Sequence, residues 1–181
     1  SLRRGASGVR SGGRYRPIGR GRRIPVMPDV LSSDAILDYA TTLAKTQPGA
    51  TLATIHAEFA TPYQTYVLFH LRPNGQVIFA SSGRPQHARN IASTPEVSFL
   101  IDNRDIMKHD WQSFDRVVIE GRARQIAPDD AEFVPLAQEL TAKDASSSYF
   151  IREGHLFLVE PRRLVLMKGL EPHRHVVDFE G

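Results

Sequence analysis

The stretch PYQTYVLFHLRPNGQVIFASSGRPQHARN, residues 62–90, carries the signals that decide the fold. Tyr63 to Leu71 is aromatic, apolar and partly β-branched, and reads as a strand. Arg72-Pro73-Asn74-Gly75 follows, and its Asn-Gly pair favours the positive φ of a tight turn. Gln76 to Ala80 is a second apolar strand. A polar link, Ser81-Ser82-Gly83, then leads to a helix opening at Pro85, a residue suited to the first helical position.

Upstream, Ser32 or Ser33 can cap a helix with Asp34 in its first turn. Ile36, Leu37, Ala40, Leu43 and Ala44 recur at helical spacing, and Gln47-Pro48-Gly49 ends the run. Thr51 to His56 is a strand, so three strands in succession predict an antiparallel meander. Downstream, Val97 to Ile101 is a fourth strand and Phe114 to Ile126 a long fifth. Gly121 in the middle of the fifth predicts a bulge or bend. Pro128-Asp129-Asp130 opens a helix with Phe133, Leu136, Ala137 and Leu140 on one face. His155 to Val159 and Arg163 to Met167 read as two last strands around a Glu160-Pro161 turn. Short strands with helices between them, and no regular βαβ units, predict a mainly β (α+β) antiparallel barrel with peripheral helices.

The chain has 181 residues and 41% hydrophobic content, which suits one domain with a real core. It has no cysteine, which excludes disulfides, thiolate metal sites and a cysteine nucleophile. No apolar run is long enough to span a membrane, and no signal-peptide core is visible. A soluble, cytoplasmic protein is the expectation. The net charge of +3 comes from one end. Residues 1–26 hold eight arginines and no acid; setting them aside leaves 15 basic against 20 acidic residues, a balance of −5. Residues 1–26 are expected to be a basic, disordered extension, with residues 27–181 as the folded domain. The alternatives for this segment are an arginine-rich arm for nucleic acid or another polyanion, and an arm embracing a partner subunit. The acidic balance of the domain argues against nucleic acid as its partner.

The most chemical segment is the corner from Ala80 to Asn90. A helix start presents unpaired N–H groups and the positive end of the helix dipole, which attract phosphate. Ser81 and Ser82 add hydroxyl donors, and Gly83 allows close approach to the backbone. Arg84 and His87 are three residues apart, as neighbours on a helix face would be. Taken alone, the same residues also read as an ordinary capped helix facing water.

The order of segments is more specific than any one of them. Pro62 to His70, Asn74 to Ala80, the Ser81–Asn90 corner, Thr94-Pro95-Glu96-Val97-Ser98 and Gly121-Arg122-Ala123 together resemble the pyridoxamine 5′-phosphate oxidase-like, FMN-binding split-barrel family. The resemblance implies a split barrel that dimerises and binds two flavins between its subunits. It implies that the strand Thr65, Tyr66, Val67 and Leu68 lies beside the flavin ring. Ser81, Ser82, Gln86 and His87 would hold the ribityl phosphate, and Arg116 would lie near the ring. Two departures set the chain apart from true pyridoxamine phosphate oxidases. Thr65 stands where they place an arginine for the phosphate, which removes a bidentate charged contact. The closing segment His173-Arg174-His175-Val176-Val177-Asp178-Phe179 lacks their basic, aromatic substrate grip.

The resulting expectation is an FMN-dependent oxidoreductase acting on an unidentified small molecule, with NAD(P)H as the candidate electron donor. The alternatives are a deazaflavin or haem as the ligand, a non-catalytic flavin or haem binder, and polyanion binding through the arginine tail. No catalytic residue is assigned, because a flavin carries the hard chemistry itself. Asp102-Asn103-Arg104-Asp105 reads either as the substrate side of the ring or as a self-bonded turn. Trp111, the one tryptophan, suits ring stacking, a dimer contact or a core position. His173 and His175 are two apart but have only Glu171 or Asp178 near as a third ligand, so a metal is not expected. No G-x-S-x-G elbow supports serine catalysis.

Overall fold

The protein is described by a computed structural model over residues 30–81, 84–105, 110–152 and 154–180. The arginine-rich segment of residues 1–26 lies outside the described residues, as do Ser82 and Gly83. Helix α1 spans Ser33–Thr46, and Ser32 caps it by accepting from Ala35 N at 3.2 Å. Seven strands follow: β1 Gly49–Ile55, β2 Pro62–Leu71, β3 Val77–Ser81, β4 Glu96–Asp102, β5 Arg116–Ile126, β6 His155–Met167 and β7 His175–Asp178. Helix α2, Gln86–Ser93, lies between β3 and β4; α3, Phe133–Lys143, and α4, Ser147–Arg152, lie between β5 and β6.

The strands are antiparallel throughout, in the order β3-β2-β1-β4-β5-β6-β7. A further pairing of β3 with β6 closes the first six into a barrel. The expected meander is present as β1-β2-β3. Inside the barrel Phe69, Phe79, Phe99 and Phe157 are essentially inaccessible, with Phe79 stacked on Phe157 at 4.7 Å between ring centres. A second apolar cluster lies outside the barrel wall, where Ile78, Ala80, Ile126, Leu156 and Leu158 meet Leu136 and Leu140 of α3. β3 is therefore buried on both faces, which explains its unbroken apolar run Val77–Ala80.

Gly121 marks a bulge, as expected: the β5–β6 register shifts between Glu120 and Gly121. The Glu160-Pro161 turn is overturned. β6 runs unbroken through these residues, and Pro161 pairs with Gly121 at the bulge. Proline lacks an N–H, so it fits where the ladder is already interrupted. A methyl group on Gly121 would come within 2.3 Å of the Glu160 carbonyl oxygen. Among the described residues no helix is long and apolar enough to cross a membrane.

Candidate functional site

β2 and β3 pair at only three positions, Phe69↔Phe79, His70↔Ile78 and Leu71↔Val77. Beyond that point β3 stays with β6, pairing Ala80↔Leu156 and Ser81↔His155, and parts from β2. Among the described residues, the edge of β2 that faces β3 is therefore without a strand partner from Leu68 back towards Pro62. Every second residue of a strand edge turns its N–H and C=O outward. A cleft of about 380 Å³ opens in the gap, lined by Tyr66, Val67, Leu68, Ala80, Ser81, Pro85, His87 and Phe150. That volume lies within the range of small-molecule sites.

One end of the cleft is polar. Ser81 ends β3, and His87 lies in the first turn of α2. Both are buried, and His87 Nε2 lies 2.8 Å from Ser81 Oγ. Pro85 is the N-cap residue of α2 and supplies no capping side chain. The first N–H groups of α2 have no partner within the helix. Burial, and secondarily the charge of His155, hold the His87 imidazole below its usual pKa of 6.5. The other end is apolar, between Leu68, Ala80 and Phe150.

Of the residues singled out in the sequence, the structure brings Tyr66, Val67, Leu68, Ser81 and His87 together here. Ser82 lies outside the described residues. Thr65 does not line the cleft; it pairs with fully buried Leu52 and so shares the inward face of the sheet. Gln86 turns along its helix, donating to Asn90 Oδ1 at 2.8 Å. Arg116 sits at the start of β5, paired in register with Asp102 and Met167, away from this cleft. Arg84 precedes α2 and is exposed, so it shares no helix face with His87. Phe150 is the lining residue that sequence reading missed. It lies on the short helix α4, whose six residues have no clear periodic pattern.

The remaining candidates also have places. Asp102 accepts from Arg104 Nε at 2.6 Å and from Arg104 N at 3.1 Å. Asn103 ties this turn to the segment leading into β5, donating to Ser113 O and accepting from Asp115 N. Trp111 is 54% exposed and edge-on to Phe114. His173 is exposed whereas His175 is buried, with Glu171 at 3.6 Å from its Nε2.

The pyridoxamine 5′-phosphate oxidase family profile matches residues 37–167, most of the chain. The protein belongs to this family. A comparison with curated proteins finds no match. Among solved structures, this family member is similar to a heme binding protein from Mycobacterium smegmatis, with 21% identity and a TM-score of 0.68. That match covers 82% of this chain and 60% of the other. HutZ, the heme storage protein of Vibrio cholerae, matches with 20% identity and a TM-score of 0.59 over 74% of this chain and 96% of its own. A Clostridium acetobutylicum protein related to general stress protein 26 matches with 10% identity and a TM-score of 0.60, over 81% and 96% of the two chains. At these identities the likeness is one of fold.

Proposed function

We propose that this family member binds flavin mononucleotide in the cleft between β2 and β3 and uses it in an oxidoreductase reaction on a small molecule. The observation that carries the reading is the Ser81–His87 pair, buried at the start of α2 and opening into a cleft along a β2 edge that has no strand partner among the described residues. A phosphate needs donors in a fixed array, and a planar heterocycle needs peptide groups and flat apolar walls. The two ends of this cleft supply one each. When bound, the flavin supplies hydride or electron transfer. Ser81, His87 and the first N–H groups of α2 hold the phosphate. The free edge of β2 at Tyr66–Leu68 bonds the polar rim of the ring, and Leu68 and Phe150 keep water from it.

The functional unit in this reading is a homodimer. One transverse row of the outer sheet face runs Tyr66, Thr51, Leu100, Val118, Val165 and Val176 across six strands, in register. Most of these side chains are apolar and half-buried or exposed, which suits a face awaiting a partner. Haem is the competing ligand, suggested by the names of two relatives.

The test is to denature the purified protein and identify the released ligand by absorbance and mass spectrometry. For protein that carries none, titration with FMN follows. Released FMN, or saturable binding of added FMN, is expected. Released haem, or no saturable FMN binding, would refute the reading. Bleaching of the bound flavin by NAD(P)H separates an enzyme from a carrier.

A further inference from the structure

Tyr66 has two sides. One walls the cleft described above; the other walls a second cleft of about 290 Å³, lined also by Gln47, Pro48, Gly49, Ala50, Thr51, Leu100, Asp102, Arg104 and Asp105. We propose that this second cleft binds a small molecule that carries a carboxylate or similar planar oxyanion on an apolar body, with Arg104 as the anion's partner.

The guanidinium of Arg104 is held by one edge. Its Nε and Nη2 both donate to the Asp102 carboxylate, whose side chain is only 5% exposed. A guanidinium has five N–H donors in a rigid fork. The Nη1–Nη2 edge makes no hydrogen bond among the described residues, and the group is 61% exposed. Two parallel donors on a fixed edge match the two oxygens of a carboxylate.

The local charges permit an anion. Asp102 is occupied by Arg104, and Arg116 lies opposite it on β5. Burial opposes ionisation of Asp102, but the Arg104 bonds together with Arg116 prevail and keep it a carboxylate. Asp105 is the remaining acid. With the Gln47 amide oriented to satisfy both of its ends, its nitrogen donates to Asp105 Oδ1 at 3.1 Å and to the Asp102 carbonyl at 3.0 Å. That contact draws the Asp105 carboxylate towards buried Gln47. Apart from Thr51, the rest of the wall is apolar: Pro48, Ala50, Leu100 and the Tyr66 ring. Gly49 makes room for that ring, since a Cβ there would lie 2.4 Å from it. Tyr66 thus stands between the two clefts, and a ligand in the second lies next to a ring in the first. Its role as the oxidoreductase substrate rests on the flavin reading above; the anion site itself does not.

Benzoate is the probe, with benzamide as its neutral isostere and benzamidine as its cationic one, titrated into the full chain by calorimetry and ligand-observed NMR. Saturable benzoate binding is expected, with benzamide and benzamidine at least tenfold weaker. Arg104→Gln should weaken benzoate by about ten- to a hundredfold, the usual range for a charge-assisted bond, and leave benzamide unchanged. Arg104→Lys keeps a cation for Asp102 but loses the fork, so it should fold normally and still bind benzoate at least several-fold more weakly. Absence of saturable benzoate binding overturns the proposal. So does unchanged affinity in both Arg104 variants, or benzamidine binding more tightly than benzoate. Loss of FMN binding with benzoate binding retained would sink the flavin reading alone.

Discussion

Replacing His87 with alanine removes a side chain that is only 6% exposed and leaves Ser81 Oγ without the partner that now lies at 2.8 Å. Two separate effects follow. The first is structural: an abandoned buried hydroxyl costs about 1–3 kcal/mol of stability. Where it distorts the cleft, it weakens every ligand there alike. The second is specific: a charge-assisted bond to phosphate contributes about 1.5–3 kcal/mol, or about ten- to a hundredfold in affinity. Only ligands that carry the phosphate lose it. Titration of flavin fluorescence with FMN and with riboflavin, which lacks the phosphate, separates the two. The FMN-to-riboflavin affinity ratio should fall by about ten- to a hundredfold in His87→Ala. The pH dependence sharpens the test. Burial lowers the His87 pKa below 6.5 in the free protein. A bound phosphate raises it again, so binding takes up a proton. The FMN advantage over riboflavin should therefore grow as pH falls from about 8 towards 6 in the wild type. The second ionisation of the phosphate, near pH 6, is common to both proteins and cancels in the comparison. Equal losses for FMN and riboflavin, with the same pH profile in both proteins, would refute the phosphate assignment to His87.

Light scattering should give a mass near twice 20.2 kDa, and Val118→Arg, in the middle of the outward apolar row, should yield a monomer; a wild-type monomer at micromolar concentration refutes the dimer. Gly121→Ala should cost about 1–3 kcal/mol in denaturant unfolding, because its methyl meets the Glu160 carbonyl at 2.3 Å; unchanged stability would show that the bulge yields freely. Burial and the bond to Asp115 push the Tyr39 phenol up to about 12, from 10.0. A pKa raised on folding stabilises below the unfolded value and is lost as pH rises through the folded one. An alkaline ultraviolet titration should therefore show one tyrosine ionising near 12, absent in Tyr39→Phe, with the associated stability fading between pH 10.0 and about 12; identical titrations would show that Tyr39 is not that residue.

Much of the barrel and half of its candidate site are local properties of the chain. The Asn74-Gly75 turn joins two apolar runs, and the hairpin it predicts is β2–β3. Ser81 and His87 are six residues apart across one strand end and one helix start, so their meeting needs no distant contact. Gly121 signals its bulge because only a glycine accepts a carbonyl that close. Family membership was legible for the same reason: the order of short signals survives even though each is weak.

The cleft itself was decided by tertiary pairing. It exists because β3 parts from β2 after Phe79 while keeping its pairing with β6, a strand some 75 residues further on, at Ala80↔Leu156 and Ser81↔His155. Nothing within residues 62–90 announces that choice. The strand period of two determines which residues share a face, but which face is inside depends on the partner. Hence Thr65 turned inward beside Leu52 while Tyr66 remained at the cleft. Arg116 went to Asp102 because the β4–β5 register, anchored by the alternating buried residues Val97, Phe99 and Ile101, sets them side by side. Pro161 read as a turn from its own residue type, and became a strand residue only because Gly121 lay opposite it. Local signals settle where a strand begins and ends. Register across the sheet is set by burying alternate side chains against partners far along the chain, and it was the register that placed the walls of both clefts.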